Sequence, residues 1–132
     1  MAKSVSPFLM FQDEVAEAAM NFYVSLFPGS SIPAIERFGP EGPGKEGSVM
    51  TGILNLNGQT IMCLDSPVKH AFTFTPATSL FVECDSAEEI DRLFTALSEG
   101  GQVLMPLDGY PFAQRFGWIN DRFGVSWQLR LA

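Results

Sequence analysis

The chain has 132 residues, enough for one domain, and its 46% hydrophobic content with twelve Phe supplies a core and excludes intrinsic disorder. A formal net charge of −7, with only eight scattered Lys and Arg, excludes a nucleic-acid or anionic-membrane binder, since both need clustered basic residues. No run approaches the ~20 apolar residues that cross a bilayer, and MAKSVSPFLMFQDE has no apolar stretch long enough for a signal-peptide core, so a cytoplasmic protein is expected.

In chain order, SPFLMFQDE reads as a short strand. EVAEAAMNFYVSLF follows as a helix, with Val15, Ala18, Ala19, Phe22, Tyr23 and Leu26 at helical spacing and Pro28-Gly29 as its stop. Ile32 to Phe38 is a second strand, and FGPEGPGKEG is a loop by its Gly and Pro content, expected to be mobile. Ser48 to Leu56 and Gln59 to Leu64 are strands joined by Asn57-Gly58, the strongest hairpin signal in the chain. After the linker DSPVKHAFTFTPAT the order begins again. Ser79 to Cys84 is a strand, and DSAEEIDRLFTALSEGG is an amphipathic helix with a Ser86/Glu89 capping box and Gly100-Gly101 at its end. Gln102 to Leu107, Gln114 to Asn120 and VSWQLRL complete it, the last two joined at a tight turn through Arg122-Phe123-Gly124.

The chain therefore reads as a duplication, with modules at 1–66 and 77–132. Leu26 aligns with Leu97, Phe8 with Ser79, Gly58 with Gly124 and Met62 with Gln128, and the extra residues of the first module fall around Gly39 to Gly47. Strand parity sends Leu9, Phe11, Ile61, Cys63, Leu80, Val82, Trp127 and Leu129 toward the helices. Phe8, Met10, Thr60, Met62, Leu64, Ser79, Phe81, Ser126 and Gln128 then point the other way. That second face is too apolar to meet bulk water, so a partner copy or a curled sheet must cover it, and a homodimer is expected.

Three segments, EAAMNFYVSLFPGSSI, FTFTPATSLFVECDSAEEIDRL and above all FGWINDRFGVSWQL, resemble the PhnB-like proteins. These form a 3-demethylubiquinone-9 3-methyltransferase-like branch of the vicinal-oxygen-chelate (glyoxalase and bleomycin-resistance) superfamily. The resemblance covers nearly the whole chain. It implies an α+β fold in which two βαβββ modules build a curled eight-stranded mixed sheet around a cavity, commonly as a homodimer.

The resemblance also places the superfamily's four metal ligands at fixed strand positions, which project onto Phe8, Met62, Ser79 and Gln128. Divalent metals need imidazole or carboxylate donors, and these four residues offer at best one weak ligand, Gln128, so no metal is expected there. Adenosylmethionine enzymes usually need a Gly-rich strand-to-helix turn in a doubly wound sheet. FQDEVAE and ECDSAEE contain no glycine, so no cofactor is expected either. Cys63 and Cys84 read as buried reduced thiols, which with the single His70 cannot close a zinc site without carboxylates. His70 and Asp121-Arg122 read as loop and turn residues, Arg115 and Glu83 as rim charges.

The expected ligand site is the cavity lining: Phe8, Met10, Met62, Leu64, Ser79, Phe81, Ser126 and Gln128, with the hydroxyls and the amide as sparse polar fixers. Three readings remain open from the residues. One is a binding module for a small, largely apolar molecule. Another is a lyase, isomerase or dioxygenase on a small organic substrate, metal-free or with a metal held by Asp65, Glu83 or His70. The third is a cavity filled by side chains. No catalytic residue is assignable. Trp127 is expected to be packed beneath the second helix near Leu93 or Leu97, and Gln128 to point into the cavity.

Overall fold

The computed structural model describes residues 1–132. Its elements are β1 (Phe8–Phe11), α1 (Ala16–Leu26), β2 (Ser31–Arg37), β3 (Val49–Leu56), β4 (Gln59–Asp65), β5 (Leu80–Glu83), α2 (Ala87–Ser98), β6 (Gln102–Tyr110), β7 (Ala113–Asn120) and β8 (Ser126–Leu131). The eight strands form two four-stranded mixed sheets, ordered β1-β4-β3-β2 and β5-β8-β7-β6. The same βαβββ order thus occurs twice with the same strand placement. The chain divides into two compact units, Met1–Ala71 and Phe72–Ala132.

In the first unit β1 runs parallel to β4, with Phe8 beside Met62 and Met10 beside Leu64. The helix α1 packs on β2, β3 and β4. Its small residues Ala16 and Ala19 let it approach closely, and Met20, Tyr23 and Leu26 are buried with them. Gly52 of β3 gives Met20 its place, because a Cβ there would stand 2.7 Å from the Met20 methyl. Val15, the residue preceding α1, has no capping side chain. The Asp65 carboxylate supplies the cap from β4: one oxygen accepts from Ala16 N–H at 2.8 Å and the other from Val49 N–H at 2.8 Å. The Asn57-Gly58 turn has φ of 50° and 93°, both positive as a type I′ hairpin requires.

The loop expected to be mobile is tied back on itself. Phe38 N–H donates to Ser48 O and Gly47 N–H to Phe38 O, both at 2.9 Å. The buried Phe38 ring occupies the space that any side chain at residue 44 would need, with a Cβ there only 2.4 Å away.

In the second unit β5 runs parallel to β8, with Leu80 beside Trp127 and Phe81 beside Gln128. The helix α2 packs on β6, β7 and β8 through buried Ile90, Leu93 and Leu97. Its capping box forms with one displacement. Ser86 Oγ accepts from Glu89 N–H at 3.1 Å, while the Glu89 carboxylate reaches past Ser86 to Asp85 N–H at 2.8 Å. The strand β6 runs three residues beyond Leu107 because it is an edge strand, where Pro106 needs no ladder partner.

The ladders refine the alignment of the two modules. Phe8 lies opposite Met62, whereas Gln128 lies opposite Phe81 and not Ser79. The slip is two residues, one full pleat, so every side chain keeps its face.

Candidate functional site

The helix-free face of each sheet is the place where the sequence puts a ligand. In the first unit this face carries Phe8, 51% exposed, with Met10, Met62 and Leu64 half-buried, and Ile53 opposite Met62. Its polar members are Thr60 and Asn55 at the hairpin end and Thr51 and Glu36 toward the other end of β2 and β3.

The second unit builds a different face. Gly117 of β7 lies against the Phe94 ring of α2, with a Cβ there 2.6 Å from the ring, so its neighbours Phe116 and Trp118 point away from the helix. Trp118 lies opposite Gln128, and Asn120 opposite Ser126. The Trp118 indole N–H donates to Ser126 Oγ at 2.8 Å, and Ser126 Oγ shares a hydrogen bond of 2.7 Å with Ser79 Oγ. Ser126 is only 2% exposed, so its hydroxyl belongs to this chain of bonds and not to an open surface, while Ser79 is half-buried. The Gln128 side chain is half-buried and has no protein partner; the Asn120 Oδ1 atom is buried and has none either. At the rim, Arg130 pairs with Glu83 through two guanidinium nitrogens and lies 5.9 Å over the Phe81 ring, which is 52% exposed.

All eight expected lining residues therefore lie on helix-free faces, four in each unit. Trp118 and Asn120 were missed, although their parity follows from Gln128 once β7 and β8 are paired. Glu83 lies on the helix-free face, two residues from Phe81 on β5. Arg115 does not: it sits on the helix side and pairs with Asp91 of α2 at 2.8 Å, because Arg115 shares the parity of Gly117.

Two of the groups offered as alternative chemistry are occupied in other ways: Asp65 caps α1 and Glu83 holds Arg130, while at His70 the backbone N–H donates to Gln12 Oε1 at 2.6 Å. No three His, Cys, Asp or Glu side chains come together as a metal site. The donor set at Phe8, Met62, Ser79 and Gln128 likewise does not fit a divalent ion, since a benzyl group and a thioether cannot replace hard oxygen or nitrogen ligands. Burial pushes the Cys63 and Cys84 thiols up to about 12, so neither is a nucleophile near neutral pH. A recess of about 280 Å³ in the first unit is walled by Glu14, Glu17, Lys45, Glu46 and Asp65. Its charged walls suit no apolar ligand, and its Glu17 is held by Arg37 at 2.7 Å.

Asp121 has the turn role read from the sequence. Its buried carboxylate accepts from Phe123 N–H at 2.8 Å and Val125 N–H at 3.0 Å, and its second oxygen from the Trp127 indole N–H at 2.9 Å. Trp127 is 1% exposed, on the α2 side of β8.

Residues 3–130 match the family model described as 3-demethylubiquinone-9 3-methyltransferase. The chain belongs to this PhnB-like family. A Bacillus cereus PhnB protein, provisionally described as a 3-demethylubiquinone-9 3-methyltransferase, is 55% identical to this PhnB-like chain. The match covers 98% of this chain and 100% of that one, with a TM-score of 0.94. The protein PA1353 from Pseudomonas aeruginosa is 30% identical, with 98% of both chains covered and a TM-score of 0.75. The fosfomycin resistance protein FosX from Listeria monocytogenes shares only the fold, at 14% identity and a TM-score of 0.62 over 98% of this chain and 94% of its own. The PhnB-like chain thus has an α+β, glyoxalase-like fold. None of its helices is long and apolar enough to cross a membrane.

Proposed function

We propose that this PhnB-like protein binds a small, largely apolar molecule on the helix-free faces of its sheets, without the superfamily's usual divalent metal. The observation that carries this reading is the Gln128 amide, which stands without a protein partner among Phe81, Trp118 and the serine pair. Such a surface is that of a ligand site, mainly apolar with a few orienting polar groups. The amide is accessible to solvent, so its donor and its acceptor are both open to a ligand.

The family's methyltransferase description finds no support in these residues. The strand-to-helix turns lack glycine and the sheets are mixed, whereas adenosylmethionine sites usually occupy doubly wound parallel sheets. Native mass spectrometry of protein purified from its own host tests the proposal by reporting ligand, metal and assembly together. A copurified organic molecule and no stoichiometric metal is the expected result. One Zn, Ni, Mn or Fe per chain that is lost in a Gln128→Leu variant would refute the metal-free reading. The protein acts as a homodimer in this reading, because exposed Phe8, Phe81 and Phe112 leave apolar surface for a second copy to cover. Sedimentation at the 14.5 kDa monomer mass at micromolar concentration would refute that assembly.

A further inference from the structure

Trp118, Ser126 and Ser79 together carry three polar hydrogens but only two bonds join them. Indole N–H can only donate, so Ser126 Oγ is an acceptor toward Trp118. The remaining bond, between the hydroxyls, can run either way. If Ser79 donated to Ser126, the Ser126 hydrogen would be left inside a side chain that is 2% exposed. The nearby acceptor across the strand, Asn120 Oδ1, takes no hydrogen bond at all, so the Ser126 hydrogen does not go there. Leaving a buried donor unpaired is costly, and the bond therefore runs from Ser126 to Ser79. The surplus hydrogen is then the one on half-buried Ser79, at the end of a chain in which each bond strengthens the next.

From this geometry we infer that Ser79 is a directed hydrogen-bond donor to the ligand and that the ligand presents an acceptor oxygen, of the carbonyl kind, at this point. Trp118 and Ser126 are positioning residues: they fix the hydroxyl's direction without touching the ligand oxygen. The inference rests on the binding reading above and deepens it.

The test uses a matched pair of probes, acetophenone and α-methylstyrene, which have nearly the same shape but differ in carrying C=O or C=CH2. Both are titrated into uniformly 15N-labelled full-length protein, and affinities are read from backbone resonances of β5, β7 and β8. The Trp118 indole resonance reports on the hydrogen-bond chain. Acetophenone is expected to bind about three- to tenfold more tightly, the ratio that one uncharged hydrogen bond supplies, and to move the indole signal. Ser79→Ala should bring the ratio close to one at unchanged fold. Trp118→Phe keeps a ring and leaves the Ser126 hydrogen with Ser79 as its only acceptor, so the ratio should fall only slightly, by the strengthening that the lost N–H gave to the chain. A loss of packing alone would weaken both probes together and leave the ratio unchanged. A ratio near one in the wild type, or one that survives Ser79→Ala, overturns the donor assignment while leaving binding intact. If neither probe shifts a resonance of these strands at millimolar concentration, the binding reading fails, and the donor assignment with it.

Discussion

Asp121→Asn changes one carboxylate oxygen into an NH2 group, and the structure specifies what that does. The retained oxygen can still accept from Phe123 N–H and Val125 N–H, but the new NH2 faces the Trp127 indole N–H, donor against donor. The indole hydrogen is left buried without an acceptor, a cost of about 1–3 kcal/mol. The two surviving bonds lose their charge assistance, which roughly halves such bonds. A total of about 2–4 kcal/mol follows, equivalent to a fall in Tm of about 10 °C for a domain of this size. Asp121→Ala removes the acceptor for all three groups and should cost more, of the order of 5 kcal/mol. The decisive measurement is a double-mutant cycle by urea titration with Trp127→Phe. That change removes the indole hydrogen, so Asp121→Asn should become about 1–2 kcal/mol less costly in its presence. If the two changes simply add within about 0.5 kcal/mol, the carboxylate does not hold the tryptophan and the reasoning is wrong.

Asp65→Ala should destabilise by about 2–4 kcal/mol, because it leaves both Ala16 N–H and Val49 N–H without their acceptor; a chemical melt within 0.5 kcal/mol of wild type, on the scale of ordinary surface changes, would refute the cap. Burial pushes both thiols from 9.0 to about 12. Stability from keeping them neutral is therefore complete below pH 9 and is lost as pH rises toward 12, since the unfolded thiols ionise first. A Cys63→Ala, Cys84→Ala variant should show a shallower alkaline loss in pH-dependent melts, and iodoacetamide at pH 8 should label the native wild type far more slowly than the urea-unfolded chain. Gln128→Leu should fold normally, because the amide serves no protein group, and should lose affinity for the copurified molecule; unchanged affinity in a binding titration would remove Gln128 from the site.

The fold was legible because local signals agreed with one another. Asn57-Gly58, Pro28-Gly29 and the Ser86/Glu89 pair each occur where the structure needs a turn, a stop or a cap. Strand parity placed all eight candidate residues on helix-free faces, since that argument depends only on a period of two. What it could not supply was pairing between strands. Trp118 and Asn120 join that face only through the β7–β8 ladder, and the Ser79–Ser126–Trp118 bonds exist only once β7, β8 and the residue before β5 meet. Asp65 was read as the edge of a linker and a possible metal donor, although it holds the start of a helix 49 residues earlier. No local pattern announces a cap delivered from so far along the chain. The Gly-rich loop holds a constraint that its composition hides: Gly44 is small because Phe38 lies against it.

The parallel pairings impose an order on synthesis. In each unit the strand made first, β1 or β5, hydrogen-bonds only to the strand made last, β4 or β8. The Asp65 cap of α1 follows the same schedule, arriving with the final residue of β4. A nascent unit can thus build its β-meander and seat its helix while its first strand still waits, unpaired, for the ribosome to finish. Completion needs closure of a long loop, whose entropic cost must be met before the contacts that reward it. Stalled or truncated chains that end before Asp65 or Leu131 would leave four-residue strands with open backbone edges, the kind of edge that recruits another chain.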